Sequence, residues 1–119
     1  MILYIIGPSG AGKTTLAKRF KGAINLDGDD VRKIWPDLKY NPEDRCENNL
    51  RVARLAKLLS EQGQAVIVST ICPYRELRSE IQKICNPLFI RVDHKGAKSR
   101  NDDAEFEEIL SPLLFNISI

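Results

Sequence analysis

The stretch Ile2-Leu3-Tyr4-Ile5-Ile6-Gly7-Pro8-Ser9-Gly10-Ala11-Gly12-Lys13-Thr14 decides the architecture. An uncharged apolar run from Ile2 to Ile6 reads as a buried strand, and it stops at Gly7, far short of a membrane span or a signal-peptide core. Gly7 to Thr14 then match G-x-x-x-x-G-K-[ST] in full, in the strand-loop-helix setting that gives the pattern its meaning. Glycines let the backbone curl so that successive N–H groups face inward, and a helix starting near Lys13 aims its positive end at the same point. Gly7, Ser9, Gly10, Ala11 and Gly12 are therefore expected to cradle the phosphates of a nucleoside triphosphate. Lys13 is expected at the β- and γ-phosphates, Thr14 on the accompanying Mg²⁺, and Thr15 in the pocket wall.

Outward from this loop, short aliphatic runs recur at Ala23 to Leu26, Ala65 to Val68, Leu88 to Val92 and Leu113 to Ile117, with helical stretches between them. The unbroken apolarity of Ala65-Val66-Ile67-Val68 marks a strand covered on both faces. This rhythm predicts an α/β fold of three layers, of the P-loop nucleoside triphosphate hydrolase type. About five mostly parallel strands carry helices on both faces. Asn41-Pro42-Glu43-Asp44 is a helix start and Gly63 its stop, with Leu50, Ala53 and Leu58 on the core face. A second helix follows Pro73, carries Leu77, Ile81 and Ile84 inward, and breaks at Asn86-Pro87. A length of 119 residues fits one domain, 1–119.

Composition excludes other classes. A net charge of +2 is too balanced for a protein that neutralises many phosphates along a nucleic acid, so no nucleic-acid partner is expected. No segment approaches the apolar length of a membrane helix, so no membrane partner is expected either. Cys46, Cys72 and Cys85 are too few and too far apart for a disulfide framework or a metal knuckle, which fits a reducing cytoplasm. Lys18, Arg19 and Lys21 read as a solvated helix face, and His94, without a second ligand at metal-binding spacing, as a loop residue.

A phosphate loop alone does not separate kinases from GTPases and motor-type ATPases. No Asn-Lys-x-Asp guanine-reading tetrapeptide is present, and Asp93-His94-Lys95-Gly96 fits D-x-x-G with too few fixed positions to weigh. Ile24-Asn25-Leu26-Asp27-Gly28-Asp29-Asp30-Val31-Arg32 is more informative. It sets carboxylates at the carboxyl end of the second strand, where open α/β sheets bind ligands, and Gly28 leaves room for a close approach. Helix capping accounts for one of these carboxylates, with Asp30 the expected cap.

Together with the phosphate loop, these residues resemble adenylylsulfate kinase, which phosphorylates the 3′-hydroxyl of adenosine 5′-phosphosulfate with MgATP. Lys39-Tyr40-Asn41-Pro42-Glu43-Asp44-Arg45-Cys46-Glu47-Asn48 is similar to the family's G-F-[ST]-x-E-D-R-x-E-N segment. Ile67-Val68-Ser69-Thr70-Ile71-Cys72-Pro73-Tyr74-Arg75 resembles its V-S-x-I-S-P-Y-R segment, and Asp102 to Glu107 is weakly similar to a later one. The resemblance implies ATP and Mg²⁺ as cofactors, a small nucleotide as substrate, and a homodimer for which the sequence marks no interface. It makes Asp29 the group that orients or deprotonates the attacking hydroxyl, with Asp27 supporting it or the metal shell. It places Arg32, Arg45 and Asn48 on the acceptor's phosphosulfate and nucleotide, and Tyr40 against its adenine. Ile71, Cys72 and Pro73 become the far wall of the acceptor pocket. Cys72 stands where the family commonly has serine, and a buried thiol is expected there rather than a nucleophile.

One departure stands out. Related kinases carry a basic helical lid between the fourth and fifth strands, whereas the stretch from Asp93 to Leu113 is too short for it. It leaves a short helix around Asp103 to Leu110 and the cations Lys95, Lys98 and Arg100. Two alternatives to an adenylylsulfate kinase remain open: a catalytically impaired nucleotide-binding or regulatory module, and a kinase acting on another small anionic acceptor.

Overall fold

The structure is a computed structural model that describes residues 1–8, 12–72 and 74–92 with their side chains, and the backbone of 93 and 114–118. The strands are β1 (Ile2–Ile6), β2 (Ile24–Asp27), β3 (Val66–Thr70), β4 (Leu88–Asp93) and β5 (Leu114–Ser118). The helices are α1 (Lys13–Ala17), α2 (Gly28–Arg32), α3 (Pro42–Glu61) and α4 (Arg75–Cys85). All strand pairs are parallel and the order is β2-β3-β1-β4-β5, which is the sandwiched sheet that the apolar runs predict.

Residue alternation along β1 builds two cores. Ile2, Tyr4 and Ile6 pack with Val66, Val68, Val52, Ala53, Ala56, Leu77 and Ile81 beneath α3 and α4. Leu3 and Ile5 face the other way and pack with Ile67, Val92 and Ala17 under α1. Burying one Val or Ile side chain is worth about 1.5–3 kcal/mol, so the β1–β3 centre is the firm base from which the loops emerge. Since α1 and α4 leave β1 and β3 toward opposite faces, a crevice opens at the carboxyl ends of these neighbouring strands.

Local chemistry explains the helix ends. Asn41 caps α3 by accepting a hydrogen bond from the Asp44 N–H at 2.9 Å, Pro42 occupies the first turn, and Glu43 and Asp44 complement the helix dipole. Asn86 closes α4 in the left-handed conformation, and Pro87 prevents its continuation. The expected core face of α3 needs one correction. Leu50 and Ala53 face inward, but Leu58 is 55% exposed, because the buried stripe runs through Asn49, Val52, Ala53 and Ala56 and leaves Leu58 well off that face. Strand bounds lie within two residues of expectation, β3 extending through polar Ser69 and Thr70 because both are buried beside β1 and β2.

Candidate nucleotide site

The glycines at both edges of the crevice are required by proximity. A Cβ on Gly7 would lie 2.3 Å from the Val92 carbonyl oxygen, so the phosphate loop starts pressed against the end of β4. A Cβ on Gly28 would lie 2.9 Å from Thr70 Oγ1, so the β2–α2 junction is seated on the end of β3. Gly12 caps α1 at φ 95°. Ser9, Gly10 and Ala11 lie outside the described residues, as do Pro73, the Asp102 to Glu107 segment, the expected helix at Asp103 to Leu110, and His94, Lys95, Lys98 and Arg100.

Lys13 is half-buried, and its ammonium donates to the Pro8 carbonyl at 2.7 Å, so the side chain spans the loop that it follows. Thr14 and Thr15 are exposed. Thr14 Oγ1 donates to Asp27 Oδ2 at 3.1 Å, while Asp27 Oδ1 accepts from the Asp29 N–H at 2.9 Å. One carboxylate therefore joins the phosphate-loop helix to the start of α2. This settles which aspartate caps: it is Asp27, at the N-cap of α2, and not Asp30, whose carboxylate instead pairs with exposed Lys33 at 3.3 Å. Asp29 is exposed in the first turn of α2, beside this junction.

A site for Mg²⁺ can be tested against these contacts. By giving its proton to Asp27, the Thr14 hydroxyl turns its lone pairs outward, and an uncharged oxygen beside a carboxylate is the donor set that a hard cation takes. Thr14 with Asp27 nearby fits the ion. Among the described residues, no group of three or more His, Cys, Asp or Glu side chains is arranged to hold a metal.

Where α2 approaches the start of α3, the Arg32 guanidinium lies 4.4 Å above the centre of the Tyr40 ring and also donates to the Lys39 carbonyl. Tyr40 is 52% exposed, and Arg45 occupies the position where a staple partner for it would stand, so the ring packs with Arg32 and is not a hydrophobic clamp on α3. Arg45 is half-buried on α3. Asn48 is buried, accepting from Trp35 Nε1 at 2.7 Å and donating to the Gly28 carbonyl at 3.3 Å. The expected pair is thus divided: Arg45 sits toward the open end of the helix, and Asn48 locks α3 to the β2–α2 junction from inside.

Ile71 is half-buried and Cys72 fully buried. Burial pushes the Cys72 thiol up to about 12, against a partial offset from the Arg78 guanidinium, so it is the inert thiol that the sequence suggests. Behind this segment stand three polar residues that sequence reasoning did not single out: Asn49, Thr70 and Arg78, all buried. A polar residue at the helical core spacing of Val52, Ala53 and Ala56 is the one signal that could have marked Asn49.

With this geometry in place, the comparisons with known proteins are specific. The adenylylsulphate kinase family model matches residues 1–104. A probable adenylyl-sulfate kinase from Archaeoglobus fulgidus is 36% identical over 93% of this chain and 91% of its own length. That alignment runs to 141 positions, more than the 119 residues here, so the relative has internal stretches with no counterpart in this chain. The adenylyl-sulfate kinase of Pseudomonas aeruginosa is 41% identical over 76% of this chain, which spans about half, 52%, of that relative's length. In solved structures, the Mycobacterium tuberculosis APS kinase CysC, in complex with AMPPNP and APS, shares the fold with a TM-score of 0.82 at 22% identity. The match covers 98% of this chain and 87% of that one. On the family match, the chain belongs to the adenylylsulfate kinase family.

Proposed function

We propose that this chain transfers the γ-phosphoryl group of ATP to the 3′-hydroxyl of adenosine 5′-phosphosulfate, giving 3′-phosphoadenosine 5′-phosphosulfate and ADP. The observation that carries this reading is the family match over residues 1–104, which takes in both the phosphate loop and the acceptor segments.

In this reading the loop from Gly7 to Thr14 binds the ATP phosphates, with Lys13 as its cation. Thr14 and Asp27 would hold Mg²⁺, which would supply positive charge against the triphosphate. Asp29 orients the acceptor hydroxyl and takes its proton as the oxygen–phosphorus bond forms and ADP departs. Its place two residues beyond Asp27, whose carboxylate holds both the Thr14 hydroxyl and the Asp29 N–H, supports that role, since base and cation site then move as one unit. Arg32 and Arg45 supply planar, paired donors for phosphate and sulfate oxygens, while Tyr40 offers a face to the adenine. Asn48 acts from behind, fixing Gly28. Ile71, Cys72 and Pro73 form the far wall.

The protein is proposed to work as a single domain in the cytoplasm, where its three free cysteines stay reduced. Among the described residues no helix is long and apolar enough to cross a membrane. A homodimer is the assembly that the family resemblance implies, and light scattering measures it directly. The activity is tested by acceptor-stimulated ADP release with adenosine 5′-phosphosulfate, adenosine monophosphate and gluconate offered in turn. Stimulation by the phosphosulfate alone is expected, and stimulation by gluconate or by none of the three overturns the reading.

A further inference from the structure

We propose that Asn49 and Arg78 are positioning residues for the acceptor pocket, holding the consecutive carbonyls of Ile71 and Cys72 from inside the protein. The proposal rests on the kinase reading above, in which Ile71 and Cys72 line the far wall.

The two holds come from different helices. Asn49, on α3 and 3% exposed, donates through Nδ2 to the Ile71 carbonyl at 3.4 Å and to the Arg45 carbonyl at 3.0 Å. Its Oδ1 accepts from Thr70 Oγ1 at 3.2 Å, and the same hydroxyl lies 3.2 Å from the Ile71 oxygen, so one proton is shared between two acceptors. Arg78, on α4 and also 3% exposed, donates through Nη1 to the Cys72 carbonyl. A buried guanidinium is costly unless paired, and here part of its pairing is with the backbone of this one segment.

Peptide geometry turns these holds into a statement about the wall. In a trans peptide the C=O and the following N–H point in opposite directions, so pulling the Ile71 carbonyl toward Asn49 directs the Cys72 N–H away from α3. Holding the next carbonyl as well leaves the segment little freedom about that axis. Asn49 also donates to the carbonyl of Arg45, one turn earlier on α3, so this wall is tied to the helix that carries a proposed acceptor contact. The amide of one buried asparagine thus sets the position of this wall against α3 while touching no ligand.

The test uses Asn49→Asp, which keeps the shape but turns an oxygen toward two carbonyls, with Arg78→Met and Arg78→Lys. Steady-state kinetics separates the KM for adenosine 5′-phosphosulfate from that for ATP. Amide hydrogen exchange of residues 70–72 is measured on the same proteins without ligand. Expected are an acceptor KM raised about tenfold or more in Asn49→Asp and Arg78→Met, an ATP KM within twofold of wild type, partial recovery in Arg78→Lys, and faster exchange at Cys72. A merely structural role moves both KM values together, and that result, or no change in either, overturns the proposal. If the unaltered chain does not phosphorylate the phosphosulfate, the kinase reading falls. Exchange then decides positioning alone, and an unchanged rate at Cys72 in Asn49→Asp refutes it.

Discussion

Replacing Gly28 with alanine probes the joint between the two halves of the site. The added Cβ would stand 2.9 Å from Thr70 Oγ1 and 3.3 Å from Thr70 Cβ, with the Ser69 carbonyl oxygen next at 3.6 Å, an ordinary contact. Thr70 cannot yield freely, since its hydroxyl is held by Asn49 and Ile71. Forcing a methyl group into packed structure costs about 1–3 kcal/mol. Alanine also removes unfolded-state freedom that glycine has, a gain of about 0.4–1 kcal/mol. The net expectation is a loss of roughly 1–2 kcal/mol in the wild-type background. In a Thr70→Ala background the hydroxyl is gone and only the milder Cβ contact remains, so the same change falls to within about 0.5 kcal/mol of zero. Urea unfolding of the wild type, both single variants and the double variant gives the coupling directly. A Gly28→Ala cost equal in both backgrounds, or a gain in the wild type, refutes the claim that Thr70 makes Gly28 necessary.

Two further outcomes follow from named contacts. Asp27→Asn keeps an N-cap acceptor for α2 and loses the charge beside Thr14. Stability therefore stays within about 0.5 kcal/mol, whereas Asp27→Ala loses about 1 kcal/mol, and in Asp27→Asn the Mg²⁺ concentration for half-maximal turnover rises severalfold. Unfolding curves and a Mg²⁺ titration read the two effects separately. For Cys72, burial lifts the folded thiol to about 12 from an ordinary 9.0, so the unfolded chain loses this proton first. The associated stability is whole below about pH 9 and declines as pH rises toward 12, by up to about 1.4 kcal/mol per pH unit. Urea unfolding between about pH 8 and 10.5 should show a shallower decline in Cys72→Ala, and an unchanged slope contradicts the burial argument.

Much of this architecture was legible because its determinants are local. The phosphate loop, the capped start of α3 and the αL stop at Asn86 each depend on residues adjacent in the chain. What escaped depends on contacts across the fold. Asp27, Asp29 and Asp30 are equivalent as capping chemistry, and which of them caps depends on where β2 ends, which the fold sets at Asp27, with Gly28 seated on Thr70. Leu58 reads as a core residue by type but is turned out by the phase of the helix. Asn48 was legible as a site residue through the resemblance, but its burial against Trp35 required the partner 13 positions away. Asn49 and Arg78 were hidden for the opposite reason: polar residues on helices read as solvated until the loop they hold is folded beneath them.

The most direct test of the central claim is product analysis. Purified chain, Mg²⁺, ATP and adenosine 5′-phosphosulfate are incubated, and the nucleotides are separated by chromatography, beside Lys13→Ala and Asp29→Ala. Formation of 3′-phosphoadenosine 5′-phosphosulfate in equal amount with ADP, reduced at least about a hundredfold in both variants, is the predicted result. ATP binding with no such product, or product formation indifferent to Asp29, contradicts the account.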